Sequence, residues 1–122
     1  MATSITTYAL SSTMADEHRR LASKYAVIEA TTARTLTSAD HGKRIWCTSA
    51  SATTITVPSG LHAWFECEIV QKGAGQVTVA AGSGVTLNAY SGWVKTAGQW
   101  AGATLANTGG TDTFALMGQL TA

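Results

Sequence analysis

Charge is what this chain has least of. Asp, Glu, Lys and Arg make up 12% of its 122 residues, roughly half the share of an ordinary soluble domain. Apolar residues stand at 45%, so the missing charge has been replaced by Thr, Ser, Gly and Ala. The net charge is +1 and the eight Lys and Arg are scattered. No basic stripe exists to displace counterions from a phosphate backbone, which excludes nucleic acid as a partner. No run approaches the roughly 20 apolar residues of a membrane span. The opening Met1, Ala2, Thr3 and Ser4 has neither a cationic segment nor an apolar stretch, so the chain is expected to be made and used without export and away from membrane. Cysteine is scarce too. Cys47 and Cys67 are too few for a disulfide framework, and with His18, His41 and His62 they form no zinc-ligand spacing, so neither a metal nor a cofactor is expected. A surface this poor in charge is weakly protected against association, and part of it is expected to be covered by copies of the chain or by a partner.

The β grammar is clearest from Gln71 to Leu87, QKGAGQVTVAAGSGVTL. Val77, Thr78 and Val79, then Val85, Thr86 and Leu87, alternate apolar and hydroxyl residues about Gly82, Ser83 and Gly84. This reads as a hairpin with one face in a core and one in water. Gly73 and Gly75, around Ala74, predict a second tight reversal needing a positive φ.

Upstream, residues 1–11 form a polar arm. Thr13 and Asp16 resemble a capping box, and acids precede Arg19, Arg20 and Lys24 in the order the helix dipole favours, so the pattern predicts a helix over 13–26. Met14, His18, Leu21, Tyr25 and Ile28 fall near one stripe of it. A helix this short cannot stand alone in water, so the stripe is expected to pack on the β domain or to serve as an oligomer or capsid interface.

Strands are expected over 31–37, 44–48, 53–58 and 64–72, with Asp40 and Gly42 making the first turn. Further short strands follow through 93–107, broken near Gly98, and the last covers 113–116. The period of two points Ile45, Cys47, Phe65, Cys67 and Ile69 inward, the two thiols free rather than paired. Turn signals every 8–12 residues and the absence of a visible fixed-length repeat predict a mostly β fold, an antiparallel sandwich or jelly-roll-like domain of about eight strands. The division is an arm and helix at 1–29 and a β domain at 30–122.

Enzymatic constellations are missing. Glu66 and Glu68 share one strand face about 7 Å apart by strand rise, a separation compatible with glycoside chemistry. Acidic residues on an exposed edge strand, which deter aggregation, explain them more simply. The glycines lead into strands rather than a helix and lack the order of a phosphate loop. No serine sits in a nucleophile elbow. The chain is therefore expected not to be an enzyme, with no catalytic residues. Four tryptophans remain, Trp46, Trp64, Trp93 and Trp100. The parity of Trp46 and Trp64 sets them opposite the first core, as exposed contacts for a neighbouring subunit or a platform for a sugar.

Several segments carry a family resemblance: ARTLTSADHGKRIWCTSASATTITVPSG, FECEIVQKGAGQVTVAAGSGVTLN and TDTFALMGQL. Over residues 30–122 they resemble the β domain of tailed-bacteriophage virion proteins, found in tail fibres, head fibres and capsid decoration proteins. The resemblance implies a non-enzymatic module, commonly a homotrimer, whose partners are itself and the major capsid or another virion protein. It implies location in the virion, assembled in the host cytoplasm. With no repetitive shaft ahead of the module, a decoration (cement) or head-fibre protein is expected. A small tail-fibre or tail-tip receptor-binding protein that takes a host-surface glycan is the alternative.

Overall fold

A computed structural model of the chain describes residues 27–122. Of the arm and helix expected over 1–29, residues 1–26, with Met14, His18, Leu21 and Tyr25, lie outside the described residues, and 27–29 belong to a strand. The remainder is all β, in eleven strands. They are β1 (Val27–Ala30), β2 (Arg34–Thr35), β3 (Arg44–Cys47), β4 (Thr53–Val57), β5 (Glu66–Gln71) and β6 (Val77–Ala81). After these come β7 (Thr86–Ala89), β8 (Lys95–Thr96), β9 (Gly102–Asn107), β10 (Thr113–Gly118) and β11 (Leu120–Thr121).

The strands form two sheets, β1-β3-β5-β9-β10-β7 and β11-β8-β6-β4-β2. Through the first six strands the chain crosses from one sheet to the other at every corner. Consecutive strands of one sheet therefore belong to consecutive turns and run parallel, β1 beside β3 beside β5 and β2 beside β4 beside β6. This is a β-solenoid of about three turns, and it corrects the expected antiparallel sandwich or jelly roll. The hairpin read into Gln71–Leu87 does not form either. β6 pairs with β4 and β8, whereas β7 pairs with β10 in the opposite sheet. The error has a simple cause: an alternating pattern specifies which face of a strand is buried and is indifferent to the direction of its neighbour.

A repeat underlies the second and third turns. Arg44 pairs with Glu68 and Thr53 with Val77, both twenty-four positions on, so Arg44–Pro58 stacks on Glu68–Gly82 without a gap. Ile45 then lies beside Ile69 and Ile55 beside Val79, all fully buried. The preceding turn is shorter, with Val27 beside Arg44 and Arg34 beside Ile55, and the irregularity hides the repeat from a search for one fixed period.

The corners explain the glycines. Gly73 and Gly75 do not have positive φ; they stand directly on the corner of the turn before. The Gly73 N–H donates to the Cys47 carbonyl at 2.9 Å and the Gly75 N–H to the Ser49 carbonyl at 3.0 Å. A Cβ at Gly73 would come within 2.6 Å of the Thr48 carbonyl oxygen, and one at Gly75 within 2.9 Å of that of Ser49. Close backbone approach, rather than turn conformation, excludes a side chain there. Gly42 and Gly84 are the opposite case, with φ of 70° and 78°.

The far end of the coil changes direction. The β9–β10 hairpin inserts between β5 and β7, with β9 antiparallel to β5, and β8 lies antiparallel beside β6 with β11 antiparallel beside β8. A buried polar group ties this end to the stack. Gln71 projects inward from β5; its side-chain amide donates to the Gly73 and Ala74 carbonyls, and its Oε1 accepts from the Thr96 hydroxyl of β8. The same hydroxyl accepts from the Val77 N–H at 3.0 Å. Each group so satisfied avoids the desolvation cost of an unpaired polar atom in a core.

Between the sheets, Phe65, Leu105, Phe114 and Leu116 join the isoleucines and valines at no more than 1% exposure. Each such side chain contributes about 1.5–3 kcal/mol, more than a typical hydrogen bond does, so the stack is held chiefly by its core. Cys47 and Cys67 are buried there, unbonded. Ile28, in β1 rather than on a helix, packs partly buried against the same core. Beside β2, the fully buried Asp40 accepts two bonds from Arg34, at 2.6 and 3.2 Å, and one from the Thr37 N–H.

Candidate functional site

The outward face of the first sheet is built in rows by its register. Arg44, Glu68, Thr104 and Met117 follow one another across β3, β5, β9 and β10. In the next row Trp46, Val70 and Gly102 do the same. Gln119 continues it beyond Gly102, donating its N–H to the Gly102 carbonyl and accepting the Gly102 N–H through Oε1. Small residues at Gly102, Ala103 and Gly118 leave a trough between larger side chains, an open groove of about 400 Å³. A Cβ on Gly118 would come 2.6 Å from the Ala103 Cα, so the two strands meet closely along that floor.

Trp46 stands on the β3 side. The Arg44 guanidinium lies 5.8 Å and the Lys72 ammonium 5.9 Å from its ring centre, within reach of a cation–π attraction. Arg44 also pairs with Glu68. Both side chains are about two-fifths exposed, so the pair adds about 0–1 kcal/mol and leaves polar groups facing solvent. This position corrects the expected edge strand: β5 is interior to its sheet, and Glu68 neutralises an arginine there.

Trp100 closes the end of the groove. It is 62% exposed yet has a φ of 72°, a left-handed conformation that costs a bulky residue about 1–3 kcal/mol. The strain arises in the Gly98–Ala101 turn, closed by the Ala101 N–H donating to the Gly98 carbonyl at 3.0 Å. Trp100 occupies its third position, where glycine or asparagine is usual. The turn is pinned to the solenoid by Trp100 N–H on the Gln71 carbonyl and by the Gln99 side chain on the Lys72 carbonyl.

The structure thus brings Trp46 and Trp100 to one groove and sends the other two tryptophans elsewhere. Trp64, 69% exposed, stacks on His62 at 4.5 Å between ring centres. Trp93 meets Tyr90 edge-on at 6.1 Å near the β7–β8 corner. His41 and His62, remote in sequence, come together with ring centres 4.8 Å apart. Among the described residues no group of three or more His, Cys, Asp or Glu could hold a metal, and no helix is long and apolar enough to cross a membrane. The parity of Trp46 was readable in RIWC. The partnership with Trp100 was not, because it depends on β9 lying beside β5, which no local pattern announces.

Compared with protein-family models and with curated proteins, the chain matches none.

Proposed function

We propose that this chain is a non-enzymatic structural protein of a tailed-bacteriophage virion, of capsid-decoration or head-fibre type, which binds the particle as a homo-oligomer, a homotrimer being the form the resemblance implies. The observation that carries this reading is the surface of the short solenoid. It combines little charge with large exposed side chains away from the groove, at Trp64 and Tyr90, a composition suited to a subunit whose neighbours cover it. The resemblance over residues 30–122 supplies the setting. Gold-labelled antibody against the chain should decorate virion heads in many copies, and purified protein should bind expanded capsids and protect them from heat. Virions without label would refute the assignment. A small tail-fibre or tail-tip receptor-binding protein is the second reading, favoured by the groove between Trp46 and Trp100; label confined to the tail would select it.

A further inference from the structure

We infer that the groove over Val70 and Gly102 is a binding site for a neutral saccharide of a few sugar rings. The inference deepens the receptor-binding reading but holds wherever on a particle the chain sits.

Three observations point to this occupant. The first is shape. A trough of about 400 Å³ lies in the range of small-ligand sites, and its floor of Gly102, Ala103 and Gly118 admits a flat ring to the backbone. The second is chemistry. Sugars present C–H faces that pack on aromatic rings and hydroxyls that both donate and accept. Trp46 and Trp100 supply rings. Arg44 donates, Glu68 accepts, the Thr104 hydroxyl does either, and the Gln119 amide NH2 makes no hydrogen bond among the described residues. Arg44 and Glu68 cancel each other's charge, so the groove favours neither an anionic nor a cationic ligand. A second copy of the chain fits less well, since the centres of subunit interfaces are depleted in charged side chains and here an ion pair lines the groove.

The third is the placement of Trp100. A largely exposed indole is held at φ 72°, at a turn position where glycine would be relaxed. Such strain is characteristic of groups held in position for a ligand.

The test is to pass the purified full chain over an array of neutral oligosaccharides from bacterial surfaces and titrate the retained sugar against tryptophan fluorescence. Retention of at least one sugar is expected. Trp100→Ala should weaken its binding at least tenfold, and Thr104→Trp, which fills the trough, should abolish it. Trp64→Ala, outside the groove, should bind as wild type, and circular dichroism should show all three variants folded. No retained sugar would overturn the inference, as would binding that survives both groove substitutions. So would loss of oligomer on sedimentation of Thr104→Trp, which would make the groove a contact between copies. A negative array leaves the virion assignment standing, because that rests on labelling of particles.

Discussion

Alanine at Gly73 should damage this protein far more than alanine at Gly84, although a hairpin reading of the Gln71–Leu87 stretch would rank them the other way. At Gly73 the backbone is relaxed for any residue, but an added Cβ would lie 2.6 Å from the Thr48 carbonyl oxygen and closer still to that of Ser49. Both are backbone atoms of the turn below, the Ser49 carbonyl held by the Gly75 N–H and the Thr48 N–H by the Ala30 carbonyl, and neither can rotate away as a side chain would. The two corners must separate by about 0.5–1 Å, an overpacking cost of about 1–3 kcal/mol. The same movement stretches the 2.9 Å bond from the Gly73 N–H to Cys47, worth about 1 kcal/mol. The expected loss is about 2–4 kcal/mol. At Gly84 nothing lies within 4 Å of the added atom. Only the left-handed φ of 78° opposes alanine, by about 1–2 kcal/mol, and a less flexible unfolded chain returns about 0.4–1 kcal/mol. Urea unfolding of both variants, followed by tryptophan fluorescence and far-ultraviolet circular dichroism, measures the difference. If Gly73→Ala proves no less stable than Gly84→Ala, the corners do not stack and the solenoid register is wrong.

Trp100→Gly should be more stable than Trp100→Ala by about 1 kcal/mol, reversing the usual preference for alanine; chemical denaturation with alanine ahead would remove the argument from strain. Arg34→Ala strands the buried Asp40 carboxylate and should cost about 3 kcal/mol, whereas the Arg34→Ala/Asp40→Ala double variant should recover part of that; a double variant less stable than the single would refute the pairing. Burial pushes the Cys47 thiol up to about 11 and, aided by the charges of Asp40 and Glu66, the Cys67 thiol up to about 12, from an ordinary 9.0. Both stay protonated in the folded chain while the unfolded chain ionises near pH 9, so their contribution to stability is complete below pH 9 and is lost as pH rises through 11–12. A thiol reagent at pH 8 should therefore react at the rate of unfolding, and immediate labelling of native protein would contradict this.

Much of the local structure was open to reading in the residues. RIWC and TTITV gave strands in their observed places, and alternation put Ile45, Cys47, Phe65, Cys67, Ile69, Val77 and Val79 inward, where all are buried. Gly42 lies in the turn expected there, in a left-handed conformation. What misled was the meaning of Gly73 and Gly75. In one dimension GAG before VTV looks like a reversal; in three it is a bare corner resting on Thr48–Ser51. The better signal was SAS at 49–51 standing twenty-four positions before GAG at 73–75, small residues over small residues, within a repeat too short and too irregular at its first turn to declare itself.

For the groove, the sequence indicated that Trp46 faces away from the core. It could not show that Trp100, fifty-four positions later, would share its groove, or that Arg44 would meet Glu68. A period of two is a property of each strand and fixes in from out through the hydrophobic effect alone. Which strands lie side by side is decided by whether corners can approach, whether buried amides such as Gln71 find partners, and where the β9–β10 hairpin inserts. Those are contacts between distant parts of the chain, and they exist only once it has folded.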